Sequence, residues 1–422
     1  MNIKRIVIKN LFNTFTHEII FNENVTIIMG ENGVGKTVTL NLIEAIFSSN
    51  LEYLLDTEYE EIKVVFKHET WIITRHVKID TGGEHVSLEI SSSKKDAESI
   101  SIDWEQILPA LPTFLEKVDD KTWYNRRNHM FYDRDYVFDK YGMESNVKPF
   151  TLPDWIINQQ SKNRVKLINT QRLLSMPSRS AQPSQLMVDV YSKQLANLMQ
   201  EQMSKNSVNT SDLDRTFPKR VLKMIKKRNQ EPFIASEIID SLHKLEEYRY
   251  KLSLVGLMTE LKDSENIQED DLDPEDNTML AVMHQYIQDS RVKLNSYDSL
   301  YKKLSILKKI INIRFKHKIL SFDSTQGFIF YPDNPFADII PVSKLSSGEQ
   351  NELVLFYELL FKCDEKDLIL IDEPEISLHL EWLQEMIGDL KAVTSTNGAS
   401  LLIATHSPDF VGDNYELVQN LS

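Results

Sequence analysis

The sequence predicts an α/β fold, a doubly wound sheet plus an antiparallel β meander, interrupted by an inserted α-helical lobe. Three observations carry this expectation. The runs Val25-Thr26-Ile27-Ile28-Met29, Leu368-Ile369-Leu370-Ile371 and Leu401-Leu402-Ile403-Ala404 are continuously apolar, as strands covered on both faces are. Much of residues 61–90 alternates or clusters in short apolar runs separated by turn signals, the pattern of an antiparallel meander. From about Pro183 to Lys318 glycine nearly vanishes and apolar residues recur every three or four positions, which is the helical period.

In chain order, Ile6, Ile8 and Phe12, and then Glu18 to Phe21, read as short strands. The apolar run at Val25 follows, and after it one helix from Val38 to Phe47. Glu61 to Phe66, Trp71 to Arg75 and, past Gly82-Gly83, Val86 to Ile90 form the meander. Val165 to Asn169 is a further strand. In the helical stretch, Leu195, Leu198 and Met199 share a face, as do Leu304, Leu307 and Ile311. Pro218, Pro232 and Pro274 are expected to divide it into several helices too short for a long coiled-coil arm. The acidic run Glu269 to Asp276 reads as a solvated loop. A strand pair near Phe328 to Tyr331 and a helix from Glu349 lead back into α/β sequence. The expected organisation is residues 1–182, a helical insertion at 183–318, and a C-terminal part at 319–422.

Composition bounds the rest. The 422 residues are 41% hydrophobic and include one cysteine, Cys363, which excludes an internal disulfide framework. No apolar run approaches the ~18 residues of a membrane span. The start, Met1-Asn2-Ile3-Lys4-Arg5, has no signal-peptide pattern. The expectation is a soluble cytoplasmic protein without membrane contact. A net charge of -15 argues against a surface basic throughout, although nucleic acid needs only a local patch.

Gly30-Glu31-Asn32-Gly33-Val34-Gly35-Lys36-Thr37 fits G-x-x-x-x-G-K-[ST] between an apolar strand and a helix. Three of the chain's twelve glycines fall here, where backbone N–H groups must turn inward around a phosphate. These eight residues are the candidate ATP cradle, with Lys36 on the β- and γ-phosphates and the Thr37 hydroxyl on Mg²⁺. Asp372 and Glu373 end an apolar strand, and active sites of open α/β sheets lie at such ends. Asp372 is the candidate metal ligand; Glu373 is the candidate catalytic group that orients or deprotonates the attacking water. His406, at the end of another apolar run, is expected to contact the γ-phosphate. Gln171, after Val165 to Asn169, is expected to complete the Mg²⁺ shell. Leu345-Ser346-Ser347-Gly348-Glu349-Gln350 opens a helix with serine, glycine and acid. By itself that is either a second anion-binding helix start or an ordinary N-cap.

Taken in order, Gly30 to Thr37, Gln171, Leu345 to Gln350, Asp372-Glu373-Pro374 and His406 resemble the ABC ATPase superfamily, in its SMC- and RecF-like branch. The resemblance covers the two α/β segments; the helical insertion matches only in position. It implies an ABC-type P-loop ATPase head that hydrolyses ATP. It also implies that Ser346, Gly348 and Glu349 of one subunit cap the ATP held by the other, in a homodimer or higher even oligomer. Glu375-Ile376-Ser377-Leu378-His379 resembles the version in overcoming-lysogenisation-defect-type and related anti-phage ATPases. Asn13 stands where members often carry a basic residue, and Leu380 where relatives commonly show proline.

Two main readings of the work done follow, and a transporter ATPase is disfavoured by the long insertion. The first is the ATPase subunit of an anti-phage system of the Septu, PARIS or retron-associated kind, controlling a separate nuclease or toxin. The short distance from His406 to the end, with no room for an appended nuclease, is expected to go with it. The second is a RecF- or SMC-like DNA-repair or chromosome-maintenance ATPase acting directly on DNA. DNA contact would fall to the helical lobe, through Arg291, Lys293, Lys302, Lys303, Lys308, Lys309, Arg314, Lys316 and Lys318. A smaller basic group is Lys219, Arg220, Lys223, Lys226, Lys227 and Arg228. Such clusters serve equally well as solubilising helix faces.

Overall fold

The computed structural model describes residues 2–80, 83–94, 97–107, 112, 114–118, 122–133, 136–137, 151–168, 185–226, 234–259, 273, 276–334, 336, 338–365, 367–376 and 380–421. Contacts divide the chain into two compact units, 1–170 with 363–422, and 171–362. Residues 319–362 therefore group with the helical stretch.

In the first unit, β1 (Ile3–Leu11) and β2 (Phe15–Ile20) pair antiparallel, and β3 (Val25–Met29) leads into the helix Lys36–Ser48. With β4 (Glu61–Phe66), β5 (Thr70–Asp80), β6 (Gly83–Ser92) and β7 (Ile100–Asp103), the first two strands build a six-stranded sheet in the order β2-β1-β4-β5-β6-β7. Period two decides which face is dry: Ile62, Val64 and Phe66 are buried while the residues between them are half-exposed. Phe12, expected on a strand, sits instead in the turn after β1 at φ 54°. Asn10, Phe12 and Asn13 all take positive φ, so the strand cannot run on. A separate three-stranded sheet comprises β8 (Leu115–Lys117), β9 (Thr122–Asn125) and β10 (Met130–Asp133). The helix Asp154–Lys162 then precedes β11 (Arg164–Ile168).

The second unit contains the helices Met187–Lys226, Ala235–Ser253, Asn277–Asn295 and Asp298–Arg314. The hairpin β12 (Lys318–Asp323) and β13 (Gly327–Pro332) and the helix Ser347–Phe361 follow. Contrary to expectation, Pro218 ends no helix: it lies inside the 40-residue Met187–Lys226. The chain is pinned to the neighbouring helix on both sides of the proline, by Lys293 to Asp214 at 2.5 Å and by Arg220 to Asp289. Packing there outweighs the roughly 3 kcal/mol that an interior proline costs. Pro232 and Pro274 lie outside the described residues, as does most of the acidic run. Its last member, Asp276, is an N-cap, accepting from the N–H groups of Thr278 and Met279 at 2.8 and 3.1 Å.

Back in the first unit, β14 (Asp367–Asp372), β15 (Ser400–Thr405) and β16 (Val418–Asn420) join β3 and β11 in a five-stranded parallel sheet, ordered β11-β14-β15-β3-β16. Every residue of β14 and β15 is buried, which explains their unbroken apolar sequences. One core joins Ile62 and Trp71 of the meander, Leu40 and Ile43 of the Lys36–Ser48 helix, and Leu370 and Leu402 of the parallel strands. The α/β class expected from the sequence is the class observed. Register aligns Asp372 with Ala404 and Thr405 with Met29, so three carboxyl ends meet. Among the described residues no helix is long and apolar enough to cross a membrane.

Candidate functional site

The phosphate loop grows out of β3 and closes on Gly35, the N-cap of the Lys36–Ser48 helix. Gly35 sits at φ 87°, and an added Cβ would lie 2.9 Å from the Leu11 side chain. Only glycine meets both conditions. No side chain caps this helix and no acid occupies its first turn, so the turn itself supplies no anion to its N-terminal N–H groups. Lys36 is buried, its Nζ donating to the carbonyls of Gly30 at 2.7 Å and Glu31 at 2.9 Å. Glu31, Asn32 and Gly33 are exposed at the loop tip, and Val34 and Gly35 are half-buried.

The Thr37 hydroxyl donates to Asp372 Oδ2 at 2.9 Å, although the two are 335 positions apart. Burial pushes the Asp372 carboxyl above the usual carboxylate range, with the Glu373 charge adding to it against the Thr37 hydrogen bond and Lys36. A hydroxyl beside a carboxylate at a phosphate loop is a hard-oxygen pair of the kind Mg²⁺ takes. Gln171, the third residue expected at the metal, lies outside the described residues.

Glu373 has φ 43°, the left-handed region, with Pro374 following and its N–H held by the Ala404 carbonyl at 2.9 Å. A non-glycine residue there is strained, and such strain clusters at functional sites. The turn brings Glu373 and Glu375 to one imidazole: His406 Nδ1 lies 3.2 Å from Glu373 Oε1 and 3.5 Å from Glu375 Oε1. Glu375 also accepts from the Thr405 hydroxyl at 2.5 Å and from the His406 N–H at 3.3 Å. Burial holds its carboxyl above the ordinary value despite these donors.

In the second unit, Ser346 is exposed and caps the Ser347–Phe361 helix. Its Oγ accepts from the Glu349 N–H at 3.3 Å, and Glu349 Oε2 accepts from the Ser346 N–H at 2.8 Å, a reciprocal box. Lys318 Nζ donates to both oxygens of Glu349, at 2.6 and 2.8 Å. Burial alone would raise Glu349, but the hydrogen bonds from Lys318 and Ser346 outweigh it and hold the carboxyl below its usual range. Gly348 is half-buried in the same turn. The helix start is thus self-capped, with its acid bound inside the unit.

Three residues escaped the sequence reading as parts of the site. His17 Nε2 donates to the Val34 carbonyl at 2.8 Å, bracing the phosphate loop from β2. Lys318 holds Glu349. Glu375 holds His406; the sequence marked it only as the first residue of the Glu375 to His379 stretch, with no role at the site.

A strand–loop–helix phosphate cradle whose threonine meets an acidic strand end defines a P-loop nucleotide-binding protein. The chain belongs to the AAA ATPase domain family, which matches it over residues 1–411, and is an AAA-type ATPase by that membership. A short stretch is similar to the thiamine import ATP-binding protein ThiQ of Ruegeria sp. (strain TM1040), 36% identical over 67 residues. That stretch covers 16% of this chain and 28% of the relative's length. Among solved structures, the Smc head domain with an extended coiled coil bound to the C-terminal domain of ScpA, from Pyrococcus furiosus, aligns over 97% of this chain and 91% of that one. Identity is 12% and the TM-score 0.36. The SMC head domain from Thermotoga maritima aligns over 100% and 95%, with 11% identity and a TM-score of 0.30.

Proposed function

We propose that this chain binds ATP with Mg²⁺ and hydrolyses it to ADP and phosphate as an ABC-type ATPase of the SMC- and RecF-like branch. The observation that carries the proposal is the gathering of Lys36, Thr37 with Asp372, and Glu373 with His406 at three adjacent strand ends. The loop N–H groups and Lys36 bind the triphosphate. Thr37, Asp372 and Gln171 would hold Mg²⁺, which when bound offsets charge on the phosphate oxygens. Glu373 takes the proton of the attacking water as the water oxygen bonds to the γ-phosphorus and the bridge to the β-phosphate breaks. His406 donates its Nδ1 proton to Glu373; turning to the γ-phosphate would free that carboxylate. Glu375 acts through His406 and is a positioning residue. In a head-to-head homodimer or higher even oligomer, exposed Ser346 and half-buried Gly348 cover the partner's ATP, while Glu349 and Lys318 shape their turn.

We further infer a regulatory ATPase subunit of a bacterial anti-phage system, acting on a separate nuclease or toxin in the cytoplasm. Support comes from the Glu375 to His379 sequence and from the fate of the basic run. Lys293 is bound to Asp214, Arg314 to Glu352 and Lys318 to Glu349, and Lys303 lies over the Phe361 ring. A repair or chromosome-maintenance ATPase acting directly on DNA, the alternative, must rely on the remainder of the run.

Two substitutions test the ATPase assignment. Lys36→Ala is expected to abolish nucleotide binding. Glu373→Gln is expected to bind ATP, lose about 100-fold or more in turnover, and accumulate as ATP-bound pairs in light scattering. Normal turnover by Glu373→Gln would remove the carboxylate from its role.

A further inference from the structure

The basic run has a second consequence, independent of the ATP reading. In the second unit, the helix Asp298–Arg314 and the end of Ala235–Ser253 line an open pocket of about 500 Å³, within the size range of small-molecule sites. Its lining is mostly apolar, with donors on Lys308, Lys309, Ser305 and Tyr301 and no carboxylate among the described residues. Lys308 Nζ donates to the Leu254 carbonyl at 2.5 Å, which uses one of its three protons. Among the described residues no carboxylate pairs with Lys308 or Lys309, whereas Lys251 on the same pocket is answered by Glu247 at 2.5 Å. Burial holds the Lys308 amine below the ordinary lysine value. On the rim, Leu254 and Ile313 leave 47% and 58% of their surface in water.

Among the described residues the half-buried Lys308 ammonium meets no anion, which is unfavourable, and nothing covers the apolar rim. One kind of ligand relieves both. We propose that this pocket binds a small organic phosphate of mononucleotide size, its phosphate on Lys308 and Lys309 and its apolar or aromatic body against Leu254 and Ile313. Such a ligand supplies the counter-charge that no described residue gives Lys308, and acceptors for the hydroxyls, while covering the exposed apolar side chains. Charge-assisted hydrogen bonds in a partly desolvated site are the strong ones.

The test titrates the full chain carrying Lys36→Ala, which silences the phosphate loop, with the fluorescent mononucleotide N-methylanthraniloyl-AMP. Saturable binding is expected, displaced by unlabelled AMP. It should weaken at least about tenfold in Lys308→Met/Lys309→Met, the effect of losing charge-assisted hydrogen bonds. Ile313→Asp keeps both lysines and changes only an exposed position, so weakening there, with an unaltered melting profile, reports the pocket and not misfolding. No saturable binding in the Lys36→Ala chain, or equal binding by the double-Met variant, would overturn the proposal.

Discussion

His17, 1% exposed, packs its ring on Phe15 and donates from Nε2 to the Val34 carbonyl. Burial holds its imidazole below the ordinary histidine value, so the folded protein keeps it neutral. The unfolded chain takes up a proton near the ordinary value, about 6.5. Stability from this residue is therefore complete above that pH and is lost as pH falls from there toward the folded value. His17→Phe preserves the ring and removes both the titration and the hydrogen bond. Its melting temperature should fall less than wild type's between pH 7 and 5. Without the brace on Val34, the KM for ATP should rise about fivefold, the effect of one lost hydrogen bond, with kcat nearly unchanged. An unaltered KM would show that the loop needs no support from β2.

Among the elements, the Ser347–Phe361 helix departs furthest from its sequence appearance. Glu349, Gln350, Asn351 and Glu352 suggest a wet first turn, yet all four are buried. The reason lies in the preceding helix: Arg314 pairs with Glu352, their side chains 1% and 0% exposed. Arg314→Met would leave a buried carboxylate unanswered and should cost about 3–5 kcal/mol. Arg314→Met/Glu352→Leu removes both charges and should recover much of that loss. Urea unfolding of the two variants decides it, since equal destabilisation would mean that the helix is held by packing alone. Pro218 is the reverse case, a helix breaker by sequence that lies inside the Met187–Lys226 helix, which packs on the Asn277–Asn295 helix.

For the whole molecule, the proposed pairing makes a prediction that no single-chain mechanism shares. Lys36→Ala disables the phosphate loop of its own subunit, and Ser346→Arg blocks the face that would cover a partner's ATP. Each variant alone should be inactive. Mixed in equal amounts, they form some heterodimers in which the intact loop of one meets the intact Ser346 of the other. About a quarter of wild-type activity should return, from half the dimers each holding one good site of two, if subunits exchange freely and sites act independently. Mixtures as inactive as the separate variants, with subunit exchange confirmed by light scattering or labelled chains, would sink the shared site.

The sequence by itself determined the class of fold, the glycine-rich loop that closes on the Lys36–Ser48 helix, and the acidic strand end. Each rests on local rules: unbroken apolar runs need two covered faces, glycines permit an inward-turning loop, and carboxylates at strand ends face the crevice. Tertiary structure alone decided which polar residues act together. Thr37 meets Asp372 across 335 positions, Lys318 meets Glu349 across 31, and His17 reaches the loop from a neighbouring strand. It also decided that Lys293, Arg314 and Lys318 answer internal carboxylates. A side chain's charge is written in the sequence, but its counter-charge is chosen by packing, which depends on the fold of the whole chain.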